Sequence, residues 1–295
     1  MIVWFLFALS NAFSYSAHNA YSKYVISYSK LSKSAVIFLS SLVASIALFS
    51  AAYINGIPQL DRTFWIAVVV TGLINSITAP MLLRAYQLGE FSRVFSVSLL
   101  TPVFLLFTAF IFLGEIPRPL GIFGVMLTVV GLWFVERDSR KEVKKELAPE
   151  AGKIDRGVLL AIGVALLSSV TVNFDKLAAQ HSSVFFGPAV ALAIMAFTSG
   201  SYLMLIGKFR PSHLKGIGMQ EIRGVISLGL IGALSNVLFN VALLIGLAVY
   251  TIAIKRMGIL FGILWGWLFF KEKDIAKKLI GAMIAIGGVV LILFS

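Results

Sequence analysis

The sequence predicts an all-α integral membrane protein with ten transmembrane helices, arranged as two inverted five-helix repeats. Its 295 residues are 59% hydrophobic and 13% charged, with a mean hydropathy of +0.95. Soluble domains carry about 25% charged residues, so the chain is too apolar for that class. Ten apolar stretches each approach the roughly 20 residues that cross a bilayer as a helix. Landmark residues of the first half recur in the second half at one fixed offset.

The predicted spans are even in length and follow one another through the whole chain. They are too long and too uniformly apolar for barrel strands, which alternate over about 10 residues. The first span lacks the basic start of a signal peptide, so we expect it to be retained. The ten spans are residues 2–25, 34–54, 64–88, 91–113, 119–136, 157–178, 184–206, 223–246, 249–270 and 275–294.

A charged segment divides the spans into two groups of five. Residues 137–156 carry alternating charges together with Pro149 and Gly152, which predicts a solvated linker between the units 1–136 and 157–295. Five landmarks recur at an offset of 157: Gly72 and Gly229, Gly89 and Gly246, Glu115 and Glu272, Gly124 and Gly281, Gly131 and Gly288. Because each unit crosses the membrane an odd number of times, the second unit must be inverted relative to the first.

The net charge of +12 is interpreted as a topology signal. Most Lys and Arg residues lie in or beside the loops after odd-numbered spans, whereas the loops after even-numbered spans carry only Arg62 and Arg118. Basic loops favour the cytoplasm. We therefore expect a multi-pass protein of the inner (plasma) membrane with both termini outside. A polyanion-binding patch is the alternative, but we expect no nucleic-acid partner.

The sequence gives no support for enzymatic chemistry. It has no cysteine, and His18, His181 and His213 show no metal-ligand spacing. It also has no nucleophile–base constellation. We therefore expect no catalytic residue, no metal and no cofactor.

Two matching segments carry a resemblance to a known family. They are SLLTPVFLLFTAFIFLGE (98–115) and AIKRMGILFGILWGWLFFKE (253–272), each ending in a glutamate that a glycine-rich span soon follows. In order, spacing and repetition the chain resembles the EamA-type members of the drug/metabolite transporter superfamily. The resemblance implies a secondary carrier without ATP hydrolysis, with a central cavity lined mainly by helices 1, 3, 4, 6, 8 and 9. It also implies cytoplasmic termini, against which we keep the charge-based orientation.

Lys255 and Arg256 are the strongest candidates for solute binding. They lie about 9 Å inside the ninth span, where charge is costly. Lys255 shares a helix face with Gly258 and Gly262, and small residues permit close helix packing. Such a pair is similar to the phosphate-binding pair of plastid phosphate translocators, and its donors suit a carboxylate or a phosphate. The alternative is snorkelling or structural pairing.

Further polar residues are predicted to line the cavity or to couple transport. Asp175 and Lys176 end the sixth span; Asp175 is a candidate counter-ion for a basic residue, and an interfacial charge pair is the alternative. Other polar residues are candidate cavity walls, with interhelical hydrogen bonding or an interfacial position as the alternatives. These residues are Asn11, Tyr15, His18 and Asn19 in the first span, Asn75 and Arg84 in the third, and Asn236 and Asn240 in the eighth.

The sequence therefore predicts a secondary transporter, working by alternating access, for a small polar metabolite that is anionic or zwitterionic. Its expected partners are that solute and the lipid bilayer, and its oligomeric state stays open. An amino-acid or drug exporter of the same superfamily is the alternative, and a non-transporting scaffold or receptor is the alternative of another class. A cationic-drug/proton antiporter is disfavoured, because that chemistry needs a membrane-embedded carboxylate open to exchange.

Overall fold

A computed structural model describes residues 2–29, 31, 33–88, 97–143, 156–205, 218–262, 264 and 275–295. These residues form ten α-helices and one 3-10 turn, Ser98–Leu100, and no strand occurs among them. The helices are α1 (Ile2–Tyr28), α2 (Lys33–Asn55), α3 (Arg62–Leu88), α4 (Thr101–Leu113), α5 (Pro119–Val143), α6 (Arg156–Gln180), α7 (Phe186–Leu205), α8 (Met219–Ile245), α9 (Ala248–Arg256) and α10 (Ile275–Leu293).

Each described helix lies at one of the ten predicted spans, and the bounds differ at the fourth span, at the ninth span and at the linker. Helix α5 runs to Val143, past the predicted end of the fifth span at residue 136. Strong helix formers continue there with neither glycine nor proline before Pro149, so nothing stops the helix. The rest of the predicted linker, 144–155, lies outside the described residues.

Length and composition together qualify three described helices to cross a membrane. They are Ala35–Asn55, Arg156–Gln180 and Met219–Ile245, and further apolar helices are shorter. The described residues therefore form an all-helical fold.

The landmark glycines are the contact points between helices α5 and α10. Backbones approach so closely that a Cβ added at Gly124 would lie 2.7 Å from the Gly288 carbonyl oxygen, and one at Gly131 would lie 2.7 Å from that of Gly281. Exchanging the two units at the offset of 157 converts one of these contacts into the other. The internal repeat therefore has a direct counterpart in packing.

A second pair of contacts repeats in the same way. Gly72 of α3 packs against Ile194 of α7, and Gly229 of α8 packs against Val43 of α2. Small residues permit both approaches, as expected where helices meet in a membrane. Helix α1 likewise packs on α8, and α3 packs on α6. Exchanging the two units therefore converts each of these helix–helix interfaces into the other interface of its pair.

Candidate functional site

The ninth span is interrupted where its two cations lie. Helix α9 ends at Arg256, and residues 258–262 are helical again after a turn at Met257. The Met257 N–H donates to the Ile254 carbonyl at 2.8 Å, and the Leu260 N–H donates to the Met257 carbonyl at 2.9 Å, in the tighter 3-10 pattern. Lys255 and Arg256 therefore occupy a helix C-terminus, whose dipole favours positive charge.

The first half of the chain has a matching irregularity. Ser98–Leu100, the 3-10 turn before α4, stands 157 positions before 255–257. Both units thus depart from regular helix at the same place, but only the second carries charge there. Local interruptions of helices at solute sites are common in transporters with repeated halves.

Lys255 lies between two aromatic rings and near a carboxylate. Its Nζ is 3.9 Å from the centroid of the Phe239 ring and 4.8 Å from that of the Tyr15 ring. It interacts electrostatically with Asp175 of α6. Among the described residues the two charges form no direct ion pair within 4.0 Å. The predicted counter-ion is therefore close to Lys255 without contacting it.

Arg256 points to a different neighbour. Its Nη2 donates to the Thr101 hydroxyl at 2.9 Å, which joins the end of α9 to the start of α4. Successive residues diverge by about 100° around a helix. The two side chains thus point in different directions. Lys255 lies near two aromatic rings, and Arg256 forms a hydrogen bond to the other half of the chain.

A small polar cavity lies between helices α3, α6, α7 and α8. Its volume is about 60 Å³, and its polar wall is formed by Thr71, Asn75, Asp175, Asn236 and Asn240. Ligand sites occupy roughly 300–1,000 Å³, whereas a few water molecules need far less. In this conformation the cavity has room for water but not for a metabolite.

The polar groups of this wall are held from several directions. The Thr71 hydroxyl donates to the Thr171 carbonyl of α6 at 3.2 Å. The amide groups of Asn236 and Asn240 each donate to the carbonyl four residues earlier, at 2.9 Å. These hydrogen bonds hold both asparagine side chains against their own helix in the structure without solute.

Lys176 lies in a different environment from Asp175 and does not line the polar cavity. Its Nζ lies 2.5 Å from Glu115 Oε1 and donates to the Gly246 carbonyl at 2.6 Å. Glu115 Oε2 also accepts from the Ala248 N–H at 2.8 Å. Adjacent helix positions face different ways, so Asp175 reaches the cavity while Lys176 ties together the ends of α4, α6 and α8 and the start of α9.

The polar residues of the first span separate into different environments. Asn11 is 1% exposed and donates to the Ser235 carbonyl at 2.8 Å, so it serves the packing of α1 on α8. His18 also packs on α8, beside Gly232. Tyr15 is the member that reaches Lys255.

Two further predicted residues lie away from this site. Asn19 and Arg84 are exposed, and neither lines the polar cavity. Of the predicted wall residues, the structure brings together Asn75, Asn236 and Asn240 with Asp175.

Sequence reasoning missed three residues that shape the site. Phe239 and Thr71 are ordinary members of apolar spans, although Phe239 directly precedes the predicted Asn240. Glu115 was recognised only as a landmark of the repeat, and its partner Lys176 lies 61 positions away. Contacts of that kind depend on which helices become neighbours.

Comparisons with known proteins identify the family from the sequence and a similar fold among solved structures. The EamA-like transporter family matches residues 2–137 and 155–294, almost the whole chain. Among chains of known structure, 29 match. One, described only as the crystal structure of a protein, has a TM-score of 0.73 at 18% identity and covers 97% of this chain and 98% of its own. No curated protein sequence matches.

Proposed function

Because this chain belongs to the EamA-like transporter family, we propose that it is a secondary carrier for a small polar metabolite, anionic or zwitterionic. It works by alternating access in the inner (plasma) membrane. Its ten helices cross the bilayer as two inverted repeats, 1–136 and 157–295, joined by the charged linker 137–156. The reciprocal glycine contacts between α5 and α10 support this arrangement.

Contacts between loops support the ten crossings. The Arg118 guanidinium, after α4, donates to the carbonyl of the C-terminal Ser295 at 2.6 Å. Asp61, before α3, contacts His181, after α6, at 2.7 Å. Ten crossings put all four positions on one face of the membrane, the face poor in basic residues. That face is the outer one by the distribution of charge, and it carries both termini.

The observation that carries the proposal is the electrostatic interaction of Lys255, at the interrupted helix, with Asp175, which lines the polar cavity. A membrane-embedded cation at an interrupted helix suits a solute carboxylate or phosphate. A carboxylate near it, not in direct contact, suits a solute ammonium. The two charges together favour a zwitterion, such as an amino acid, over a simple anion. The cavity must widen to admit either one, as alternating access requires.

Binding is tested first, by thermal unfolding of the purified full chain with carboxylates, phosphates and amino acids. A solute that binds only the folded state raises its stability. We expect Lys255→Ala to lose the response and Arg118→Ala, outside the cavity, to keep it. Equal binding by Lys255→Ala and the original protein would show that the site is wrong.

Transport is tested next, in proteoliposomes with the solute that binds. Saturable uptake, stimulated by the same solute on the opposite side, is expected of a carrier. A non-transporting scaffold or receptor would bind the solute and give no flux. Preferred outward transport of amino acids or drugs would favour the alternative function, an exporter of the same superfamily.

A further inference from the structure

We propose that Lys255 is a tethered cation that keeps cationic solutes out of this carrier. Its ammonium group occupies an aromatic cage formed by Tyr15 and Phe239, beside Asp175, and this cage would otherwise bind an organic ammonium ion. The inference rests on the proposed function, since it concerns the selectivity of the same cavity. It makes Lys255 the residue that decides the sign of charge the site accepts.

The cage has the geometry of a cation site. Aromatic faces attract a cation within about 6 Å of the ring centroid, and cages of this kind recognise quaternary ammonium ions. The Lys255 Nζ meets this condition for both rings, at 3.9 Å for Phe239 and 4.8 Å for Tyr15. The rings come from α8 and α1, which pack on each other.

A countercharge stands next to the cage. Asp175 of α6 interacts electrostatically with Lys255 and lines the polar cavity. The rings and the carboxylate together are what an organic cation requires in an apolar environment. Lys255, Tyr15 and Asp175 are partly exposed, whereas Phe239 is buried.

The second cation of the pair does not fill the same position. Arg256 is directed to Thr101 of α4 by a 2.9 Å hydrogen bond. It still contributes positive charge near Lys255. Removing Lys255 therefore empties the cage and leaves Arg256 where it is.

The test is binding of tetramethylammonium by the purified full chain, measured as a thermal shift against sodium chloride at equal ionic strength. The original protein is expected to show no specific shift. Lys255→Ala, which removes the side chain that fills the cage, is expected to bind the probe about tenfold more tightly or better. Lys255→Arg, which keeps the charge, is the matched control and is expected to behave like the original protein.

Second substitutions identify the cage itself. In the Lys255→Ala background, Phe239→Leu and Asp175→Asn should each remove most of the gained affinity. A folded Lys255→Ala protein without a specific shift would overturn the inference, and so would equal binding by the original. If Lys255→Ala does not fold, Lys255→Ser replaces it. If both fail while Lys255→Arg folds, the charge is needed for folding, and the exclusion role is overturned.

Anion and zwitterion binding, measured on the same samples, separates this inference from the proposed function. Gained cation binding in Lys255→Ala, with no anionic or zwitterionic ligand for the original protein, contradicts the proposed function alone. A zwitterionic or anionic ligand for the original protein, without cation gain in the variant, contradicts the inference alone.

Discussion

Glu115 and Lys176 form a buried ion pair, 2.5 Å from Oε1 to Nζ, that joins the two halves of the chain. Both side chains are almost fully buried, at 8% and 9% exposure. Each also bonds to backbone at the junction of α8 and α9, Glu115 to the Ala248 N–H and Lys176 to the Gly246 carbonyl. The pair thus fixes the start of α9, the helix whose last turn carries Lys255 and Arg256.

Removing one member of this pair should be more harmful than removing both. Lys176→Met leaves Glu115 as a lone buried charge, and we expect a loss of about 3–5 kcal/mol in unfolding free energy. The double variant Glu115→Gln/Lys176→Met should recover most of this loss, because glutamine still accepts from the Ala248 N–H. Thermal unfolding of the single and double variants measures the coupling. Additive losses would contradict the account.

The contact between α5 and α10 predicts opposite effects at two adjacent glycines. A Cβ at Gly288 would lie 2.6 Å from the Gly124 carbonyl oxygen, so Gly288→Ala should cost about 1–3 kcal/mol. A Cβ at Gly287 would meet Leu127 at 4.0 Å, an ordinary contact. Gly287→Ala should therefore be neutral or stabilise by up to about 1 kcal/mol. Melting temperatures compare the two, and equal effects would contradict this packing.

Asp175→Asn should distinguish a zwitterionic from an anionic solute. The substitution removes the charge that would hold a solute ammonium and leaves Lys255 in place. If an amino acid is the ligand, its affinity should fall about tenfold or more, or about 1.4 kcal/mol. Its deaminated analogue should lose less. Calorimetric titration of both compounds gives the comparison, and equal losses would show that Asp175 does not contact the solute amine.

The stability of the folded protein should decrease as the pH is lowered, because Asp61, which caps the first turn of α3, becomes protonated. Hydrogen bonding holds the pKa of its carboxyl below the ordinary value of 3.8, first from the Phe64 N–H at 2.8 Å and then from His181. A lowered pKa in the folded state gives stability that is present above pH 3.8 and is lost as pH falls through the folded pKa. Asp61→Asn should therefore melt below the original protein at neutral pH, and the difference should shrink in acid. A difference that does not depend on pH would contradict the assignment.

The chain's repeats could be read from its sequence because each half must solve the same packing problem. Gly124, Gly131, Gly281 and Gly288 are spaced as landmarks in the sequence and meet as contacts in the structure. Close approach of two backbones excludes a side chain, which confines those positions to glycine. The apolar spans themselves follow from the cost of exposing backbone polar groups to lipid.

The neighbours of polar residues could not be read in the same way. Asn11 and Tyr15 lie one turn apart in the first span, yet Asn11 bonds to Ser235 and Tyr15 lies against the Lys255 ammonium. A helix periodicity places residues on faces but does not state which helix covers each face. Lys176 shows the same limit, since its partner Glu115 lies in the other half of the chain.

The sequence alone determined the helical class, the two-unit organisation, the family resemblance and the unusual cation pair. Those properties depend on hydropathy, spacing and residue type, which are local or periodic. Only the tertiary structure decided that Lys255 lies between Tyr15 and Phe239, that Arg256 is bound to Thr101, and that the helix is interrupted at Met257. The physical reason is that a charge in an apolar span is stabilised by side chains from other helices, whose positions are set by the packing of the whole bundle.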